Sequence, residues 1–112
     1  MGSFFQSENI KGEMQDIMDL QKELYKVIAQ FPMMSDEAKW NHIETIKELL
    51  EKQQIMWTRI TLSDDPEAKQ MKKHLMKGSK ELGFGDADLG SIFTNMRTTL
   101  DAMQGQLKKS WN

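Results

Sequence analysis

The chain has 112 residues, 38% of them apolar and 29% charged, which suits one domain with its own core and excludes a disordered composition. A formal net charge of −2 gives no global pull toward nucleic acid or an anionic membrane, so any electrostatic recognition must be local. The absence of cysteine excludes disulfides and thiolate metal sites and points to a reducing compartment, the cytoplasm.

The opening stretch MGSFFQSEN carries no basic region followed by an apolar run, and no 18-residue apolar stretch exists anywhere. Neither a standard secretory signal nor a membrane span is expected. Gln6 stands where the N-myristoylation pattern needs Ser or Thr.

Ser7 is the expected N-cap of a first helix, with Glu8 in the first turn where a carboxylate complements the helix dipole. Ile10, Met14, Ile17, Gln21, Leu24, Ile28 and Phe31 follow at alternating spacings of three and four. Pro32 is expected to end this helix by biasing Phe31 out of the helical region. Met18, Leu20, Tyr25 and Val27 lie off the stripe, which predicts that more than one face is covered. Gly12 costs about 1 kcal/mol relative to alanine in the first turns.

The longest amphipathic segment runs from Ser35 to Asp65 and is the expected centre of the fold. Ile43, Ile46, Leu50, Gln53, Trp57 and Ile60 form its main row, and His42, Leu49 and Met56 repeat beside it every seven residues. Two adjoining rows make a stripe wide enough for two neighbours. The short link through Met33 and Met34 makes an antiparallel hairpin of the first two helices the default. Rods of about 25 residues, each about 38 Å long, bury their faces poorly alone. A homo-oligomer is therefore expected, most simply a two-fold dimer.

Asp65 is placed to cap a third helix beginning at Pro66, the one helical position that wastes no amide donor. This helix carries Met71, Leu75 and Leu82 with Gly78 in line, and is expected to stop at Gly83. After a loop over Phe84–Asp88, a last helix carries Leu89, Phe93, Met96, Leu100, Met103 and Leu107, with Trp111 one turn on. No segment alternates at period two. The expectation is a single all-α domain over residues 1–112: four helices, two long ones forming the antiparallel hairpin and two shorter ones after it.

Candidate chemistry is sparse. His42 and His74 lack the Glu-x-x-His spacing of a helical di-iron site and the His-Glu-x-x-His of a zinc protease. Glu44, Glu48 and Glu51 are interleaved with Lys47 and Lys52, with Glu48 to Lys52 in the favourable i,i+4 order, which reads as a solvated face. Gly83-Phe84-Gly85 has neither a preceding strand nor a following lysine in register, so it is not a phosphate loop. No catalytic, cofactor or metal residues are assigned. Gln21 and Gln53 occupy stripe positions, where a buried amide can fix register or oligomeric state, or else lie at the edge in water. Ten methionines in 112 residues suit adaptable surfaces and cores alike. Met14, Met56, Met71, Met96 and Met103 hold core positions, while Met33 and Met34 at the hairpin tip are the pair expected to be exposed.

The sharpest feature is electrostatic. Residues 69–80 hold Lys69, Lys72, Lys73, Lys77 and Lys80 and no acid, a local charge of +5. Residues 8–23 hold Glu8, Glu13, Asp16, Asp19 and Glu23 against Lys11 and Lys22, a balance of −3. Lys69, Lys73, Lys77 and Lys80 share one helical face, which faces water, pairs with the acidic first helix, or meets phosphates or an acidic protein. The stretch has no arginine and no interleaved aromatic ring, so neither base readout nor stacking is indicated.

Phe4-Phe5-Gln6-Ser7-Glu8, Leu62-Ser63-Asp64-Asp65-Pro66-Glu67-Ala68, Gly83-Phe84 and Phe93-x-x-Met96 resemble a small helical domain-of-unknown-function family shared by cyanobacteria and their T4-like phages, and more closely its phage branch. The family's usual Met-Gly-Phe-Phe opening is interrupted here by Ser3. The resemblance covers nearly the whole chain and implies a setting, the cytoplasm of a cyanobacterial cell during infection, but no reaction, ligand or functional residue.

The expected function is that of a non-enzymatic helical module that binds another protein, such as a host component redirected by a phage. Lys69, Lys72, Lys73, Lys77, Lys80, Met33 and Met34 are the candidate contacts. The alternatives are a nucleic-acid- or transcription-associated factor using the basic face 69–80, and a virion structural component.

Overall fold

Helices begin where local chemistry starts them. In the computed structural model, which describes residues 4–84 and 88–110, four α-helices follow a 3-10 turn at Phe4–Gln6. They are α1 (Glu8–Val27), α2 (Asp36–Leu62), α3 (Pro66–Ser79) and α4 (Leu89–Ser110). No strand occurs among the described residues. Gly2, Ser3, the predicted loop residues 85–87 and Trp111 lie outside them.

Ser35 caps α2 with its hydroxyl, which accepts the amide of Ala38 at 3.1 Å. Asp65 caps α3, its Oδ1 accepting the Glu67 amide at 2.8 Å, and Pro66 takes the first helical position. Ser7 occupies the N-cap of α1 with extended backbone but makes no side-chain capping bond; its carbonyl accepts the Lys11 amide at 2.9 Å.

Two helix ends differ from the sequence expectation. The first α-helix stops at Val27, and Ile28–Met33 continues as a 3-10 helix with Pro32 inside it. Proline has no amide to give to the carbonyl four residues back and its ring crowds that carbonyl, so the chain tightens before reaching it. The third helix leaves α geometry at Ser79 and closes in a wider turn over Lys80–Phe84, ended by Gly83 at φ 95°. That left-handed conformation is one glycine adopts without steric cost.

The 27-residue α2 is the centre, packed by α1, α3 and α4. Ile43 is fully buried, and Leu50, Met56, Trp57 and Ile60 are buried along the same helix. On α1, Glu13 pairs with Arg59 at 3.0 Å, Asp16 with Lys52 at 3.9 Å, and the Phe31 ring beyond its end lies 5.5 Å from His42. Partner numbers fall along α2 as they rise along α1.

At one end Ile10, Met56, Ile60 and Ala68 form a buried cluster, closed by Phe4, Phe5, Met14, Ile17 and Met71. Phe4 and Phe5 meet edge to face at 5.0 Å. The Phe4 amide donates to Asp65 Oδ2 at 2.8 Å, so one carboxylate both caps α3 and anchors the N-terminal turn.

Packing on α4 differs from its predicted stripe. Ile92 and Gln104 are its buried residues, while Met96 and Met103, expected in the core, are 47% and 39% exposed. The neighbour that covers α4 is α2, but the cover is incomplete: Met103 borders an open groove beside Phe31, Lys39 and Ile43. Met56 is buried and Met14 and Met71 are half-buried, as core positions.

Candidate functional site

Helical geometry separates two surfaces on α3. Steps of four from Lys69 to Lys73 and Lys77 keep these lysines on one side, and all three are exposed. Lys72, on the flank, is half-buried, and Lys80 lies exposed in the turn that follows. No ion pair with a described residue involves Lys69, Lys72, Lys73 or Lys77. The acids of α1 are directed elsewhere: Glu13 and Asp16 meet Arg59 and Lys52 of α2, and Asp19 accepts from Gln15 Nε2 at 2.8 Å. Among the described residues no acid of α1 forms an ion pair with a lysine of α3.

The other side of α3 faces a trough of about 420 Å³. Its floor is the C-terminal half of α2, with Met56, Trp57 and Ile60. One wall is α3, with Leu75, Gly78 and Ser79; the other is the start of α4, with Leu89 and Phe93. Leu82, in the turn after α3, stands at its edge and is 79% exposed. Polar groups at the trough are few: His74, Gln53 and Ser79. The Ser79 hydroxyl is buried without a hydrogen-bond partner among the described residues.

The remaining candidates are dispersed. Met33 is 88% exposed and Met34 half-buried, but both precede α2 whereas α3 follows it, so the structure does not join them to the lysines. His42 is buried, and its neighbour Phe31 has Lys39 Nζ 5.7 Å above the ring. His74 is exposed at the trough. Among the described residues no three His, Asp or Glu side chains come together as a metal site.

Gln21 and Gln53 are both half-buried. The amide that is fully enclosed is Gln104. Its Nε2 donates to Glu44 at 2.8 Å, and its Oε1 accepts from Lys47 Nζ at 3.1 Å. Lys47 also reaches Asp101 at 2.6 Å, and that bond holds the Asp101 carboxyl below its ordinary value against an opposing desolvation, with the charges of Lys47 and Arg97 adding to it. Glu44 and Lys47 thus clamp α2 to α4 rather than lying on a merely solvated face. Gln104 follows Leu100 by four residues, the spacing that would have placed it beside the stripe. The trough had no sequence signal of its own, since its residues come from all four helices, Ile17 of α1 among them.

The model of a family described as a domain of unknown function, DUF1825, matches residues 2–107. No curated protein and no solved structure matches the chain. No helix among the described residues is long and apolar enough to cross a membrane.

Proposed function

Because the chain belongs to DUF1825, a domain family of unknown function, its role must be read from its surfaces, and we propose that it is a non-enzymatic protein-binding module whose α3 lysine face receives an acidic surface of another protein. The observation that carries this reading is that Lys69, Lys73 and Lys77 are exposed on one face and unpaired with any described acid. Charges aligned on a rigid helix and not spent internally steer an oppositely charged partner and fix its register. In this reading α1 and α2 are an antiparallel hairpin, as their oppositely ordered pairs support, and they hold α3 as a platform. The setting is the cytoplasm of a cyanobacterial host, with a host protein as the target of a phage-encoded chain.

The same exposed lysines favour nucleic acid as the second reading. Salt separates the two. Phosphate contacts on duplex DNA lower log affinity by roughly 0.9 per contact for each decade of salt, whereas an acidic protein surface responds mainly in association rate. The wild type is expected to bind a poly-glutamate peptide in low salt and to show no sub-micromolar retention of duplex DNA or RNA in a mobility-shift assay. Replacing Lys69, Lys73 and Lys77 together with glutamate should abolish peptide binding without loss of helical signal. Retention of nucleic acid that is steeply salt-dependent and lost in the triple variant would transfer the site to the second reading.

A further inference from the structure

The stripe that organises the fold is left unfinished. Ile43, Leu50 and Trp57 are buried on α2, yet Ile46, Leu49 and Gln53, on the same broad apolar face, are only half-buried. The trough continues this opening between α3 and α4, and Met96, three residues beyond Phe93 on α4, is 47% exposed. The whole chain carries the same signature. Its Cα radius of gyration is 16.4 Å and its extents are 56 × 31 × 21 Å, against about 13 Å for the radius of a compact domain of this length. Its accessible surface is 8076 Å², whereas a folded monomer of 13.0 kDa exposes about 6,350 Å². The surplus of roughly 1,700 Å² exceeds the 800 Å² or so that each partner contributes to a standard interface.

We infer that a second copy of this chain closes the trough, in a two-fold dimer in which the Leu75, Leu82 and Phe93 patch of each copy meets the same patch of the other. The trough is too open for a small molecule, since ligand pockets enclose about 70–90% of their occupant and here Leu75 and Leu82 are 40% and 79% exposed. An isologous contact needs a patch that presents both a projection and a recess. Leu82 is the projection, and the trough between α3 and α4 is the recess. A projection and a recess on one patch favour a copy over an unrelated helix, because a self-complementary surface can close on itself about a two-fold axis. The lysine face lies on the far side of α3 and stays free in such a dimer, so this surface goes beyond the binding proposed above and is separable from it.

Sedimentation equilibrium from micromolar to millimolar concentration tests the inference. The wild type should give twice the 13.0 kDa chain mass. Leu82→Glu should give the single-chain mass with unchanged helical circular dichroism, because a side chain this exposed contributes little to the fold of one chain. Met33→Glu, equally exposed but distant, should remain dimeric, and so should the triple lysine variant. Should Leu82→Glu lose helicity, Leu82→Cys serves instead: in a chain without other cysteine a short bismaleimide should link it, but not Met33→Cys, into covalent dimers. A wild type that stays at single-chain mass to millimolar concentration overturns the inference. So does a dimer that survives Leu82→Glu, or linking at Met33→Cys in place of Leu82→Cys.

Discussion

Asp65 joins three parts of the chain with one carboxylate. Oδ1 accepts the Glu67 amide that opens α3, Oδ2 accepts the Phe4 amide from the N-terminal turn, and its own amide donates to Ser63 Oγ at 3.1 Å. Asp64, one residue earlier, is exposed. Loss of an N-cap side chain costs about 0.5–2 kcal/mol, and loss of the Phe4 bond places Asp65→Ala in the upper part of that range. Urea unfolding should show a clearly lower midpoint for Asp65→Ala and a near wild-type midpoint for Asp64→Ala. Equal losses for the two would mean that the Asp65 carboxylate does not cap α3.

Between elements, α2 and α4 are joined in part by polar side chains. Lys47 holds both Gln104 and Asp101, and Gln104 returns to Glu44. Asp101 titrates below its ordinary value because it accepts from Lys47. A carboxylate depressed in the folded state adds stability that is present above its unfolded pKa and lost as pH falls through the lower folded value. The wild type should therefore be more stable than Asp101→Asn at neutral pH, with the gap closing below about pH 4, the ordinary carboxylate range. Asp101 is exposed, so the effect is small and should shrink with salt. Unfolding midpoints of both proteins between pH 7 and 3 measure it; a gap that widens on acidification would contradict the assigned pairing.

At the scale of the molecule, one long helix with three shorter neighbours gives an elongated body rather than a sphere. Its 56 Å extent matches the about 40 Å rise of α2 at 1.5 Å per residue plus the structure capping each end. If the elongation belongs to the fold of one chain, the single-chain Leu82→Glu variant should keep it. Small-angle scattering should then give a radius of gyration no smaller than the 16.4 Å of the Cα trace. Contraction toward about 13 Å, the compact expectation, would show that the opening over α2 closes within one chain.

The sequence by itself determined the local events: the caps at Ser35 and Asp65, Pro66 at the first turn of α3, the role of Gly83, and the central α2 with Ile43, Leu50, Trp57 and Ile60 inside. These depend on neighbours within a turn or on a repeat of 3.6 residues, and both are written in residue order. The same holds for the lysine row of α3, whose shared face follows from spacing alone. Tertiary structure decided how much of each apolar face is covered. Periodicity marks Met96 and Met103 as apolar positions, but among the described residues they stay 47% and 39% exposed, whereas Gln104 is enclosed because α2 supplies Glu44 and Lys47 opposite it. It likewise brought Glu13 and Asp16 of α1 to α2 instead of α3, and opened a trough from residues on all four helices. A stripe states which side of a helix seeks cover; the number and crossing of its neighbours decide whether cover is found.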